Sequence, residues 1–292
     1  MADLKIGIIG GSGLGEALGG EAGERHEIET PFGRPSGPIL SATWEGTQIA
    51  ILQRHGPGHL LQPSCVPYRA NVYALKAIGC THILASGATG SLREEIRPGD
   101  LVIADQIIDK THKRAGTFYQ EAAVHVEFAE PFCPIMRRWL LSAASRLACV
   151  RVHERGTYIC MEGPAFSTRA ESQMHRVWGG DLIGMTAMPE AKLAREAELP
   201  YALLALPTDY DCWRPHRTGV EAQALLAEIL GNLRAATERS IALIRAALMD
   251  VSLLRAEPSP ARDALRLAIW SDKSKIPREE VSRLSLLWGR YF

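Results

Sequence analysis

The chain begins with an apolar run, Lys5-Ile6-Gly7-Ile8-Ile9, that passes directly into Gly10-Gly11-Ser12-Gly13. The same arrangement recurs. Residues 82–85 lead into Ser86-Gly87-Ala88-Thr89-Gly90-Ser91, and residues 155–161 into Glu162-Gly163-Pro164-Ala165-Phe166-Ser167-Thr168-Arg169. Residues 201–206 lead into Pro207-Thr208-Asp209-Tyr210-Asp211. Helical patterns separate these strands. Val72, Leu75 and Ile78 repeat at three and stop at Gly79, and amphipathic stretches follow over 134–148, 170–178, 189–197 and 221–248. Strands alternating with helices predict an α/β fold with a largely parallel or mixed sheet. In such sheets ligands bind where strand ends meet loops, so those loops are the places to look for chemistry.

A chain of 292 residues can form one large domain or two small ones. No repeat or linker divides it, so we expect a main domain over 1–250 and a C-terminal helical extension over 251–292, packed on it or on a neighbouring subunit. That segment is basic and ends in Trp288-Gly289-Arg290-Tyr291-Phe292. Lys and Arg balance Asp and Glu at 33 each, which gives no charge-based reason to expect nucleic acid or a membrane surface as partner. Met1 to Ile6 lack the basic-then-apolar pattern of a signal peptide, and the six cysteines (65, 80, 133, 149, 160, 212) include no C-x-x-C. The expectation is a cytoplasmic protein with reduced thiols.

The individual motifs leave alternatives open. Gly10–Gly13 fits an anion cradle of backbone N–H groups, or simply a tight turn. It matches neither the dinucleotide fingerprint nor the P-loop nor the serine-hydrolase elbow. Gly87 to Ser91 reads as a second glycine-rich turn. Arg54 suits bidentate phosphate contact. His55 and His59 have the i, i+4 spacing of a metal pair, but Gly56-Pro57-Gly58 forbids the helix that spacing needs, so no metal is expected. Asp209 and Asp211 could cap a helix, bind a cation or hold a polar ligand. With a hydroxyl at Thr186, these residues form a constellation at strand ends.

The order of motifs resembles one family, the trimeric purine nucleoside phosphorylases, in the branch that acts on 6-aminopurine thionucleosides. The carriers are G-G-S-G-L (10–14), T-P-F-G-R-P-S (30–36), R-H-G-P-G-H (54–59), G-S-L-R-E-E-I-R-P-G-D (90–100), A-E-P-F-C-P (129–134), E-G-P-A-F-S-T-R-A-E-S (162–172), M-T-A-M-P-E (185–190) and T-D-Y-D-C-W (208–213). They extend over most of the chain. The resemblance implies a single α/β domain around a mixed, partly barrel-like sheet flanked by helices, assembled as a homotrimer or a dimer of trimers. It implies phosphorolysis of 5′-methylthioadenosine to adenine and 5-methylthioribose 1-phosphate, a purine and methionine salvage step. Inorganic phosphate is the co-substrate, and no metal or organic cofactor is needed.

By position, the resemblance implies that Ser12, Arg54, His55, the backbone at Ala88, and Thr186 hold phosphate. Met185 lies under the ribose, and Phe166, Ser167, Asp209 and Asp211 surround the purine. His125 is contributed by a neighbouring subunit near the 5′ group, and Val220, Leu225 and Leu226 form an apolar wall for the methylthio substituent. An ionised carboxylate only accepts hydrogen bonds, so Asp209 and Asp211 suit an exocyclic amine rather than a 6-oxo group. Asp209 is the expected general acid toward N7, with Asp211 steadying the amine. Rival readings are a broader or 6-oxopurine nucleoside phosphorylase, a hydrolase using water, and a non-catalytic nucleoside-binding protein. Two departures stand out: Gly87 where the branch usually carries threonine, and Ala165 where it usually carries arginine.

Overall fold

The computed structural model describes residues 4–18, 21–148, 150–214 and 221–292. Eleven strands form one mixed sheet. In chain order they are β1 (Lys5–Gly10), β2 (Glu24–His26), β3 (Ile39–Trp44), β4 (Thr47–Gln53), β5 (His82–Ser91), β6 (Leu101–Ile103), β7 (Gln106–Asp109), β8 (Val152–His153), β9 (Thr157–Cys160), β10 (Leu182–Gly184) and β11 (Tyr201–Asp209). The helices of the main body are α1 (Leu14–Leu18), α2 (Tyr68–Ala77), α3 (Pro134–Ala144), α4 (Arg169–Val177), α5 (Ala187–Glu196) and α6 (Ala222–Leu248).

The sheet forks at β5. One path runs β2-β3-β4-β1-β5-β10-β9-β7, while β11 joins β5 on one side and β6 on the other, and β6 pairs with β8. β1, β4, β5 and β11 lie parallel within this arrangement, and β10 meets the end of β5 antiparallel. Strands covered on both faces read as continuous apolar runs. Accordingly, every residue of β11 but Asp209 is buried.

The fork overturns one expectation. Gly87 to Ser91 is not a turn; it continues β5. Gly87 to Thr89 pair in register with Ala205 to Pro207 of β11, Gly90 pairs with Asp209 after a register shift, and Gly90 and Ser91 also pair with β10. The glycines serve close approach instead. A Cβ on Gly90 would lie 3.0 Å from Ile183 and 3.1 Å from the Cβ of Asp211. The strand expected to stop at Leu206 likewise runs on to Asp209, with a register shift between Pro207 and Asp209.

Helix starts and stops follow local chemistry. α2 ends at Gly79, whose φ of +85° suits glycine. α4 begins in a capping box: Thr168 accepts from the Glu171 N–H, and Glu171 accepts from Thr168.

The segment after α6 packs on its own chain. Trp288 is fully buried and stacks on Tyr119 at 4.6 Å between ring centroids. Leu265, Ala268, Ile276, Leu284 and Leu287 join the same core. Ile269 bridges to Val124, and the His125 N–H donates to the Ala268 carbonyl at 2.9 Å. Among the described residues, no helix is long and apolar enough to cross a membrane.

Candidate active site

A cavity of about 500 Å³ opens where β1, β4, β5, β10 and β11 end. Its floor is polar and its far wall is the apolar face of α6. Among its lining residues are Ser12, Arg54, His55, Ala88, Thr186, Asp209 and Asp211.

Arg54 follows β4 and is fully buried. A charge at such depth needs a partner, and it has one that the sequence reading missed. Nε and Nη2 of Arg54 donate to the two carboxylate oxygens of Glu190, both at 2.8 Å, while Nη1 donates to the Ser86 carbonyl at 2.7 Å. The fork expected to grip phosphate is therefore occupied by Glu190. Five donors less three bonds leaves two N–H groups for a ligand. Burial opposes the Arg54 charge, but the Glu190 carboxylate outweighs it and holds the guanidinium pKa above its ordinary value. Tyr201 completes the cluster by donating to Glu190 at 2.8 Å. Glu190 closes the M-T-A-M-P-E block; a buried arginine in need of a carboxylate was the available signal.

Gly11 makes room for this. A Cβ there would lie 2.6 Å from Arg54 Nη1 and 2.7 Å from the Ser86 carbonyl oxygen. The turn offers fewer free donors than its glycines suggest. The Gly11 N–H donates to the Ser86 carbonyl, and the Gly13 N–H donates to Glu16 at 2.7 Å.

His55 donates from Nδ1 to the Leu61 carbonyl at 2.7 Å, since a carbonyl can only accept. Burial and the adjacent Arg54 charge push its pKa down to about 4. At neutral pH it is an uncharged ring with Nε2 left as an acceptor. His59 stacks on it at 4.2 Å, but its Nδ1 meets Glu16 instead of sharing a metal. Among the described residues, no group of three or more His, Cys, Asp or Glu could hold a metal ion.

Thr186 sits at the start of α5 and makes no capping bond with its side chain. A Cβ built on Gly87 would stand 3.7 Å from Thr186 Oγ1 and 3.8 Å from Arg54 Nη1. Met185 packs on Gly163, and its carbonyl accepts from Arg114 at 2.6 Å. Arg114 also pairs with Glu162 at 3.1 Å. Burial works to raise the Glu162 pKa, yet bonds from Ser64, the His112 N–H and Arg114 hold it at about 2.

Asp209 ends β11 and accepts from Thr208 at 2.8 Å. Asp211 lies in the following turn. The Cys212 thiol donates to the Ser167 carbonyl, tying that turn to the loop carrying Phe166 and Ser167. Phe166 is 85% exposed and stands at the edge of the cavity.

The apolar wall differs from expectation. It is built from Leu225, Ile229 and Leu233. Leu226 is 57% exposed and does not line the cavity, because successive helical residues are turned by about 100° while i, i+4 and i+8 share a face. Val220 lies outside the described residues. His125 does not line the cavity either; it is exposed and meets the Trp270 ring edge-on at 4.7 Å.

The chain belongs to the phosphorylase superfamily, whose family model matches residues 5–249. Within that class its relatives point one way. It is 47% identical to the S-methyl-5′-thioadenosine phosphorylase of Geobacter sulfurreducens, over 98% of each chain. It is 45% identical to that of Chloroflexus aurantiacus, over 100% of each. A solved methylthioadenosine phosphorylase from an antarctic soil metagenomic library superposes with a TM-score of 0.84 at 42% identity, covering 98% of this chain and 99% of that one. The Schistosoma mansoni methylthioadenosine phosphorylase, solved in complex with adenine, gives 0.79 at 36% identity, covering 98% of both.

Proposed function

We propose that this chain cleaves 5′-methylthioadenosine with inorganic phosphate, releasing adenine and 5-methylthioribose 1-phosphate for purine and methionine salvage. The observation that carries the reading is a single cavity bearing both the buried Arg54 with Ser12 and Thr186, and the Asp209 and Asp211 carboxylates, beside an apolar wall. In this reading Ser12, Arg54, His55, the Ala88 backbone and Thr186 hold phosphate. Neutral His55 accepts a hydrogen bond at Nε2 from a protonated phosphate oxygen instead of supplying charge. Met185 supports the ribose, Phe166 and Ser167 flank the purine, and Leu225, Ile229 and Leu233 receive the methylthio group.

The C1′–N9 bond lengthens first, leaving a sugar of oxocarbenium character. The departing purine gathers negative charge. Asp209, entering the reaction protonated, passes its proton to N7 and is left ionised, and Asp211 accepts from the 6-amino group. Phosphate is the nucleophile, and its cradle contributes position and charge stabilisation. No cofactor enters this scheme. His125 does not line this chain's own cavity, and the proposal takes it from a neighbouring copy in a homotrimer or dimer of trimers; a cytoplasmic location and the division into 1–250 and an extension over 251–292 are also part of the proposal.

The test is adenine release from 5′-methylthioadenosine with and without phosphate, beside adenosine and inosine. Phosphate-dependent release with methylthioadenosine preferred supports the reading. Phosphate-independent release makes the chain a nucleosidase, inosine preference overturns the role of the aspartates, and no release favours a binding protein.

A further inference from the structure

Behind Asp211 lies a polar cluster that the scheme above does not use. Asp211 Oδ2 is sealed from solvent and, among the described residues, has no hydrogen-bond partner. A buried carboxylate oxygen left bare is costly. α4 packs there. Arg176 lies over the Trp213 ring at 3.8 Å, and Cys212 is bonded to the loop that leads into α4. On the inner face of α4, His175 is 1% exposed and its Nδ1 is likewise buried without a partner. Ser172, one turn earlier, is buried beside the Cys212 thiol.

The tautomer of His175 follows from its other nitrogen. Lys110 Nζ stands 2.9 Å from Nε2. An ammonium group only donates, so Nε2 is the bare nitrogen and Nδ1 carries the hydrogen. The cluster thus contains an orphaned donor and an orphaned acceptor of matching chemistry. Burial and the Lys110 charge favour the neutral ring, and the charges of Asp211 and Glu171 work the other way.

We infer that His175 is a positioning residue for Asp211: its Nδ1–H holds Oδ2 across one water, and Lys110 holds the ring. Asp211 is then braced from behind, and its other oxygen is aimed at the purine. The inference rests on the purine role proposed for Asp211.

Three variants separate the two ring nitrogens. In His175→Asn the amide nitrogen takes the place of Nδ1. In His175→Gln it takes the place of Nε2, and His175→Phe removes both. The measurements are kcat/KM for 5′-methylthioadenosine, KM for phosphate and the thermal midpoint. His175→Phe and His175→Gln should lose about tenfold or more in kcat/KM, the worth of a hydrogen bond to a charged group, with phosphate KM unchanged; His175→Asn should stay within about threefold of wild type. Equal activity in all four proteins, or losses that follow the thermal midpoint with Asn no better than Phe, overturns the inference. Wild-type protein that releases no adenine defeats the phosphorylase reading instead. In that case calorimetric binding of adenine to the same four proteins decides the His175 role, and weakened binding in Phe and Gln but not Asn sustains it. Unchanged binding, or none even to wild type, ends it.

Discussion

Arg54 and Glu190, 136 residues apart in sequence, form a bidentate ion pair with both side chains fully buried. The pair joins the end of β4 to α5 beneath the cavity floor. Its energetic meaning lies in what happens when one partner is lost. Glu190→Ala leaves an uncompensated buried guanidinium and should cost about 3–5 kcal/mol in denaturant unfolding. The double variant Arg54→Met, Glu190→Leu should recover much of that stability while remaining inactive. Equal destabilisation in single and double variants would show that the pair is not the source of the loss.

Asp209→Asn removes the proposed proton donor while preserving shape. A general acid contributes about 10²–10⁴-fold, so turnover of 5′-methylthioadenosine should fall at least about tenfold. Wild-type turnover in this variant removes Asp209 from the acid role.

Two glycines on β5 should respond in opposite ways. Space beside Gly87 accommodates a side chain, with Thr186 Oγ1 and Arg54 Nη1 at ordinary contact distance. Gly87→Thr should restore a hydroxyl and lower KM for phosphate, by up to about tenfold for a bond to a charged ligand. Gly90 has no such space, and Gly90→Ala should push on Ile183 and Asp211, lowering both the thermal midpoint and activity. Steady-state kinetics with phosphate varied, and a melting curve for each variant, check both.

The apolar face of α6 should set preference for the 5′ substituent. Ile229→Ala should reduce the ratio of methylthioadenosine to adenosine kcat/KM by about tenfold, the scale of a methylene or two in a hydrophobic pocket. Leu226→Ala, away from that pocket, should leave the ratio unchanged. The opposite ranking of these two variants would refute the wall described here.

Glu196 gives a pH signature. Burial raises its pKa from 4.5 to about 7, against the bond it accepts from the Phe118 N–H. The folded chain therefore keeps a proton that the unfolded chain releases, and stability present below 4.5 is lost as pH rises through 7. Glu196→Gln abolishes that loss. Its thermal midpoint relative to wild type should climb between about pH 5 and about pH 8. A difference that is flat with pH shows that Glu196 does not titrate in this window.

What the sequence determined by itself was local and ordered. Apolar patterning located most of the strands and the longer helices, though not the short β2, β8 and α1, and eight motif blocks carried the family and most of the cavity-lining residues, because each depends on chemistry within a few residues. Tertiary structure decided what depends on partners far along the chain. The glycines of β5 read as a turn until β10 and β11 were seen to pair with them. Arg54 read as a phosphate fork until Glu190 was found occupying it. Leu226 read as cavity wall until the rotation of α6 turned it outward and brought in Ile229 and Leu233. Burial and pairing are properties of the assembled sheet, and no single segment contains them.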